Sequence, residues 1–353
     1  MKEKLLGKTP SELQEIAVQA GLPAFAGKQM AQWLYQKHAT QIEDMTNLSK
    51  SARAALAERY EVGRSVPAAV YTSADGTRKY LFPSSLPGKY IETVMIPSYE
   101  DGSEGGIARA TVCVSSQIGC KMNCAFCMTG RGGWHGQLSA AEILSQFLSI
   151  EEAGELTNAV FMGMGEPLDN WPEVSRALEV ITAAWGFGWS PKRVTLSTIG
   201  VIPKLKLFLE QSRCHRAVSV HNPFPEERAA IMPVQKAYPL QEILALIRQY
   251  DFSGQRRVSF EYTLFAGVND SRRHADALAR LLRGLPCRVN LIRFHAIPDS
   301  PLRTASPESV AAFQARLQSA GITTTLRASR GEDIMAACGL LAGKGLNKCE
   351  PLS

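Results

Sequence analysis

Residues 113–127 read CVSSQIGCKMNCAFC, and after the glycine-rich stretch MTGRGGWHG at 128–136 they are followed by the amphipathic run SAAEILSQFLSIEE at 139–152. An apolar strand at 110–115 thus runs into a loop with three closely spaced cysteines and then into a helix. The same alternation continues to the end of the chain. Further candidate strands cover 157–163, 193–198, 215–221, 257–264, 287–294 and 322–327, separated by helices near 172–185, 201–211, 239–250, 271–283 and 306–319. Strands alternating with helices predict an α/β protein with a parallel sheet, either barrel-like or doubly wound.

Upstream of this region the pattern differs. Thr9-Pro10-Ser11-Glu12 supplies an N-cap, a proline at the first helical position and a carboxylate at the third, and Leu13, Ile16, Ala17 and Ala20 mark one face. Two more helices are expected, over Lys28 to His38 with Met30, Trp33 and Leu34 inward, and over Ser49 to Tyr60. From about Val70 to Pro97 short apolar runs broken by Gly and Pro, including Tyr90-Ile91-Glu92-Thr93-Val94-Met95-Ile96, predict a β-rich connector. The expected organisation is a helical unit over 1–65, a connector over 66–99, the strand–helix array over 100–335 and a C-terminal segment over 336–353.

The 353 residues suffice for one large domain with a small appendage, and the 45% apolar and 20% charged contents are those of a globular protein. No apolar stretch has the length of a membrane span, and the polar start Met1-Lys2-Glu3-Lys4 is unlike a signal peptide, so a cytoplasmic location is expected. In that reducing compartment the eight cysteines, at 113, 120, 124, 127, 214, 287, 338 and 349, point to metal binding or catalysis and not to a disulfide framework. A net charge of +6 is compatible with a polyanionic partner and equally with an ordinary basic enzyme.

Cys120, Cys124 and Cys127 form a CxxxCxxC spacing, and no fourth cysteine follows nearby. Three thiolates on one loop can hold three irons of a [4Fe–4S] cube and leave the fourth open. The alternative, zinc, would need a fourth ligand from His135 or a remote cysteine. Gly163-Met164-Gly165-Glu166-Pro167-Leu168 ends an apolar strand one unit later, where glycines allow close backbone approach and a carboxylate can accept from an ammonium. Ser197 and the run Ser219-Val220-His221 end the next two strands, where ligand groups of parallel α/β folds collect. Glu92, a carboxylate on an otherwise apolar strand, stands out, and one half of a structural ion pair with an arginine is one reading of it.

The CxxxCxxC spacing with Phe126 before the last cysteine resembles the signature of radical S-adenosylmethionine enzymes. With GMGEPL, the Ser219-Val220-His221 run and the late Arg330-Gly331-Glu332-Asp333-Ile334-Met335-Ala336-Ala337-Cys338-Gly339, nearly the whole chain resembles the RlmN/Cfr family of RNA adenine methyltransferases. The resemblance implies an incomplete (βα)6 TIM-like barrel carrying an N-terminal helical domain and a β connector. It implies a [4Fe–4S] cluster on Cys120, Cys124 and Cys127 and two molecules of S-adenosylmethionine per turnover, with Phe126, Gly165, Glu166, Ser197, Ser219, Val220, His221 and His295 as ligand contacts. His295 stands where the best-known members have an asparagine.

The implied chemistry is methylation of adenosine carbon 2 in 23S rRNA, and in tRNA near the anticodon. One S-adenosylmethionine methylates Cys338, a 5′-deoxyadenosyl radical then takes hydrogen from that methyl group, and the carbon radical adds to adenine. Cys113 releases the product by disulfide formation with Cys338, and Glu92 matches a position treated as a base. An electron donor such as flavodoxin, a monomeric chain and no membrane contact complete the expectation. Its rivals are carbon-8 methylation of the Cfr type and a non-enzymatic iron–sulfur or zinc RNA-binding protein. Arg109, Lys121, Arg131, Arg327 and Arg330 flank the expected site, and Trp134 with His135 could stack on an extruded base.

Overall fold

Thr9 and Glu12 close a full capping box: the Glu12 amide donates to the Thr9 hydroxyl at 3.3 Å, and the Thr9 amide donates to the Glu12 carboxylate at 2.7 Å. Two donors left over at the helix start are satisfied in this way. The computed structural model describes residues 2–99, 106–255 and 257–343. Its N-terminal unit runs β1 (Glu3–Lys4), α1 (Pro10–Gln19), α2 (Ala26–Tyr35), α3 (Lys50–Arg59) and β2 (Tyr60–Glu61), with β1 and β2 paired in parallel. Leu13, Ile16, Ala17, Met30 and Leu34 are buried as the periodicity requires. Trp33 is only partly buried, because its indole N–H reaches Asn47 Oδ1 at 2.6 Å.

The connector is β3 (Ala69–Thr72), β4 (Arg78–Pro83) and β5 (Tyr90–Tyr99), joined antiparallel, and β5 pairs antiparallel with β6 (Ile107–Cys113). It is therefore part of the main sheet. After β6 come a ribbon of β7 (Gln117–Gly119) and β8 (Trp134–Gln137) with α4 (Met128–Arg131) between them. The array then continues through α5 (Ala140–Leu148), β9 (Leu156–Phe161), α6 (Trp171–Thr182), β10 (Val194–Thr198), α7 (Ile202–Gln211) and β11 (His215–Ser219). It ends with α8 (Pro225–Ile231), α9 (Leu240–Ile247), β12 (Val258–Leu264), α10 (Arg272–Leu282), β13 (Cys287–Arg293), α11 (Pro307–Ser319) and β14 (Thr323–Leu326).

The ten strands lie in the order β14-β13-β12-β11-β10-β9-β6-β5-β4-β3, and all neighbours from β6 to β14 are parallel. A doubly wound sheet reverses its order at a switch point. Here the order never reverses. Right-handed crossovers of constant direction put their helices on one face, which is the arrangement of a barrel. The order does not close on itself, so the barrel is incomplete, and its strand ends open on the C-terminal side. Seven consecutive buried residues in β12 fit a strand covered on both faces. Among the described residues no helix is long and apolar enough to cross a membrane.

Gly27 lies where α2 crosses α1, and a Cβ there would come within 2.4 Å of the Gln14 amide nitrogen. Gly27→Ala overpacks this backbone contact and should cost about 1–3 kcal/mol. Chemical denaturation reads the loss as a lower midpoint; an unchanged midpoint would contradict the close crossing.

Candidate active site

Gly119 has φ of 77°, and a Cβ on it would lie 1.9 Å from the Gly133 carbonyl oxygen, so glycine is required where β7 meets the ribbon. This contact closes the loop of the three cysteines. Within it the Cys120 amide donates to Gly133 O at 3.0 Å, Ala125 to Ile231 O at 2.9 Å and Met128 to Gly339 O at 2.8 Å. Cys120 and Cys124 are buried, Cys127 is partly exposed, and all three line one cleft of about 920 Å³. Burial pushes the Cys120 thiol up to about 12 and the Cys124 thiol well above its ordinary value. Ligation must then release protons. Among the described residues no three His, Cys, Asp or Glu side chains converge on one ion. His135, one of the two candidate fourth ligands for zinc, meets Lys89 Nζ at 3.2 Å. Three soft thiolates beside an open cleft suit a [4Fe–4S] cluster with one iron free to take a ligand.

Phe126, Gly165, Glu166, Ser197, Ser219 and His221 line the same cleft. Gly163 holds the Gly163–Glu166 loop close to β6, since a Cβ there would be 2.6 Å from Val114 O. Glu166 is buried and accepts from the Thr198 hydroxyl at 2.5 Å, the Leu168 amide at 3.1 Å and the Ile199 amide at 3.0 Å. Oε2, with the single Ile199 bond, keeps capacity for a donor from the cleft. Burial still dominates and raises this carboxyl to about 7. His221 adopts φ of 55° and its Nδ1 accepts from the Thr263 amide at 2.9 Å, so Nε2 carries the proton. Burial, reinforced by the Arg228 charge, lowers it to about 3 and keeps the ring neutral. Phe126 packs edge-on to it, with ring centroids 4.8 Å apart.

Two expected contacts lie elsewhere. Val220 is fully buried, its amide donating to Glu261 O at 3.0 Å and its carbonyl accepting from Arg228, so its side chain is core. His295 faces a second cleft of about 1400 Å³, where Nδ1 meets Glu332 at 3.1 Å and Nε2 meets Ser329 at 3.0 Å. Arg109, Cys113, Arg293, Arg327 and Arg330 line that second cleft too. Cys338 lines both clefts; it sits deep in the protein mass and is nevertheless exposed, because it stands between two openings.

Arg327 meets Glu261 at 3.4 Å, and its charge acts on Cys113 and Cys338, partly opposing the rise that burial imposes on both thiols. Glu261, buried in the first cleft, also accepts from Asn290 at 2.7 Å. The sequence signal for Glu261 was available: a lone carboxylate in the apolar strand Val-Ser-Phe-Glu-Tyr-Thr-Leu, the same criterion that singled out Glu92. Glu92 lines neither cleft. It pairs with the buried Lys79 at 3.9 Å and accepts from the Ala342 amide at 3.1 Å. Of the flanking cations, Lys121 pairs with Asp169 at 2.7 Å and lies 5.6 Å from the ring of Trp134, and Arg131 is tied to the carbonyls of Pro298 and Asp299. Cys214 and Cys287 are buried away from both clefts, and Cys349 lies outside the described residues.

A carboxylate can accept from a ligand's amino group only above its own titration. Binding of S-adenosylmethionine to the reconstituted chain should accordingly weaken as pH falls through about 7. Glu166→Ala should weaken binding by about 10- to 150-fold, the worth of one charge-assisted hydrogen bond. Calorimetric affinities that stay flat with pH and survive the substitution would remove Glu166 from the ligand shell.

Residues 114–279 match the Radical SAM superfamily, and residues 3–62 match the Ribosomal RNA large subunit methyltransferase N-terminal domain. The chain is 57% identical over 338 residues to a probable dual-specificity RNA methyltransferase RlmN of Porphyromonas gingivalis, covering 96% of each chain. It is 39% identical over 341 residues to the dual-specificity RNA methyltransferase RlmN of Syntrophus aciditrophicus, covering 96% of this chain and 95% of that one. A crystal structure of a radical SAM methyltransferase from Sphaerobacter thermophilus matches with a TM-score of 0.88 at 38% identity, over 97% of this chain and 99% of that one. With two relatives similar from end to end and the cluster loop, glycine loop and late cysteine all on shared clefts, the chain belongs to the RlmN family of radical S-adenosylmethionine RNA methyltransferases.

Proposed function

We propose that this chain methylates carbon 2 of adenosine in 23S rRNA and in tRNA near the anticodon, with Cys338 as the methyl carrier. The observation that carries the reading is the position of Cys338 on both clefts, one holding the three cluster cysteines and the other Cys113 and four arginines. When bound, the [4Fe–4S] cluster and S-adenosylmethionine supply the methyl group and the 5′-deoxyadenosyl radical. An adenine ring carbon bearing hydrogen is too weak a nucleophile to take a methyl group from a sulfonium directly, so a carrier next to a radical source answers the chemical need.

In this reading Cys120, Cys124 and Cys127 hold the cluster, and Glu166, with the Phe126 and His221 rings, orients S-adenosylmethionine in the first cleft. Ser197, Ser219 and the backbone of Gly165 supply the remaining polar wall. Cys338 accepts the methyl group as a thiolate, which the Arg327 charge favours. Its sulfur then presents the methyl group toward the second cleft, whose arginines suit an RNA backbone. Cys113 afterwards attacks the Cys338 sulfur as a thiolate: the S–S bond forms as the bond from that sulfur to the base-bound carbon breaks, and the departing carbon takes up a proton to become the product's methyl group. Glu92, held by Lys79 and Ala342, positions the C-terminal segment. The N-terminal unit docks RNA, a flavodoxin-type protein donates the electron, and the chain acts as a cytoplasmic monomer.

Anaerobic reconstitution followed by mass spectrometry of nucleosides from treated rRNA and tRNA tests the proposal. The expected products are 2-methyladenosine and 5′-deoxyadenosine. Recovery of 8-methyladenosine would overturn the carbon assignment, and absence of 5′-deoxyadenosine would leave an RNA-binding iron–sulfur protein instead. Cys338→Ala should abolish methyl transfer. Cys113→Ala should accumulate a covalent RNA–protein adduct on denaturing gels, and no adduct would count against the resolving role.

A further inference from the structure

Arg228, in α8, is 0% exposed, and its guanidinium spends its donors on neutral acceptors. Nε donates to Val220 O at 3.0 Å, Nη2 to Ser219 O at 3.0 Å and Nη1 to Gln235 Oε1 at 2.6 Å. Among the described residues no carboxylate forms an ion pair with it. Desolvating a cation costs several kcal/mol when nothing of opposite charge stands beside it. A neutral leucine or methionine would fill such a site at lower cost, so the charge itself calls for a counterpart. The ionisable group whose charge acts on Arg228 is Cys124, and the cluster loop is tied to the same helix through Ala125 N–H and Ile231 O at 2.9 Å.

We infer that Arg228 is the fixed counter-charge of the iron–sulfur cluster and sets its reduction potential. The inference rests on the cluster assignment above. A cube held by three thiolates is anionic and gains one further negative charge on reduction. A buried cation beside Cys124 stabilises the reduced form more than the oxidised one and so raises the potential. Through the Ser219 and Val220 carbonyls the same guanidinium fixes the end of β11, where His221 enters the cleft. Arg228 is thus a positioning and tuning residue.

Potentiometric titration followed by electron paramagnetic resonance, on the anaerobically reconstituted full chain without RNA, tests it. Arg228→Gln should move the cluster midpoint to a more negative potential, whereas Arg228→Lys should stay near wild type. Gln235→Glu keeps the shape and the hydrogen bond to Nη1 while supplying the missing carboxylate, so it should shift the midpoint in the same negative direction. Arg216 is the control: it is also buried, faces Cys214 and the Phe208 and Phe252 rings, and lines neither cleft. Arg216→Gln should leave the midpoint unchanged. A wild-type midpoint in Gln235→Glu, or an equal shift in Arg216→Gln, overturns the inference; Gln235→Glu decides if Arg228→Gln fails to fold. A wild-type chain that takes up no cluster would overturn the cluster assignment itself, a result separable from a loaded but unshifted variant.

Discussion

The Glu92 carboxylate accepts from the Ala342 amide at 3.1 Å while the buried Lys79 ammonium stands 3.9 Å from its other oxygen and 3.5 Å from the Met335 carbonyl. This buried pair is one of several ties on residues 331–343. Asp333 accepts from the Ser73 hydroxyl at 2.6 Å and the Ala74 amide at 3.1 Å, and Asp75 accepts from the Gly331 amide at 3.0 Å. On the other side Thr129 donates to Leu341 O at 2.6 Å and Met128 to Gly339 O at 2.8 Å. Each of these partners comes from β3 to β5, their turns or α4, and the Glu332–His295 contact at 3.1 Å adds a tie from the loop after β13. The position of Cys338 between two clefts depends on them.

That dependence explains the mixed sheet. A parallel array with right-handed crossovers builds a ligand cleft at its strand ends but offers no element to hold a chain segment across that opening. Extending the sheet antiparallel beyond β6 brings a hairpin tip and two buried charges to the missing side. The segment adds apolar anchoring through Ala336, Ala337, Leu340 and Leu341, all buried, while Cys338 between them stays exposed. Gly331, Gly339 and Gly343 take positive φ, which lets the chain turn around the cysteine without a run of regular structure.

Strand and helix periods were legible because the array's elements are amphipathic or wholly apolar, and the expected boundaries fall within a few residues of those observed. The choice between barrel and doubly wound sheet was not legible in periodicity, which carries no information on strand order; the family motifs carried it. Side-chain direction was the second blind spot. Ser219, Val220 and His221 form one motif, yet alternation at the strand end sends Val220 into the core and leaves the other two on the cleft. His295 follows β13 by two residues and is turned toward Ser329 and Glu332, two residues no local pattern connects to it. Glu92 and Glu261 look alike in sequence, and only the sheet order separates a carboxylate that pins the C-terminal segment from one that lines the cleft.

The electrostatics of the first cleft share one direction. Burial raises Glu166 to about 7 and the Cys120 and Cys124 thiols still higher, and lowers His221 to about 3 and Arg228 to about 10. Each group is pushed toward its neutral form, which is the cost of gathering ionisable side chains under a low-dielectric wall. In the proposed function a ligand bearing an ammonium would favour ionised Glu166 and an anionic cluster would favour protonated Arg228, each offsetting part of that cost. The folded state of such a site is stabilised by its ligands through mass action. A charged ligand that satisfied these groups would therefore couple occupancy of the cleft to the integrity of the barrel end that carries Cys120, Cys124 and Cys127.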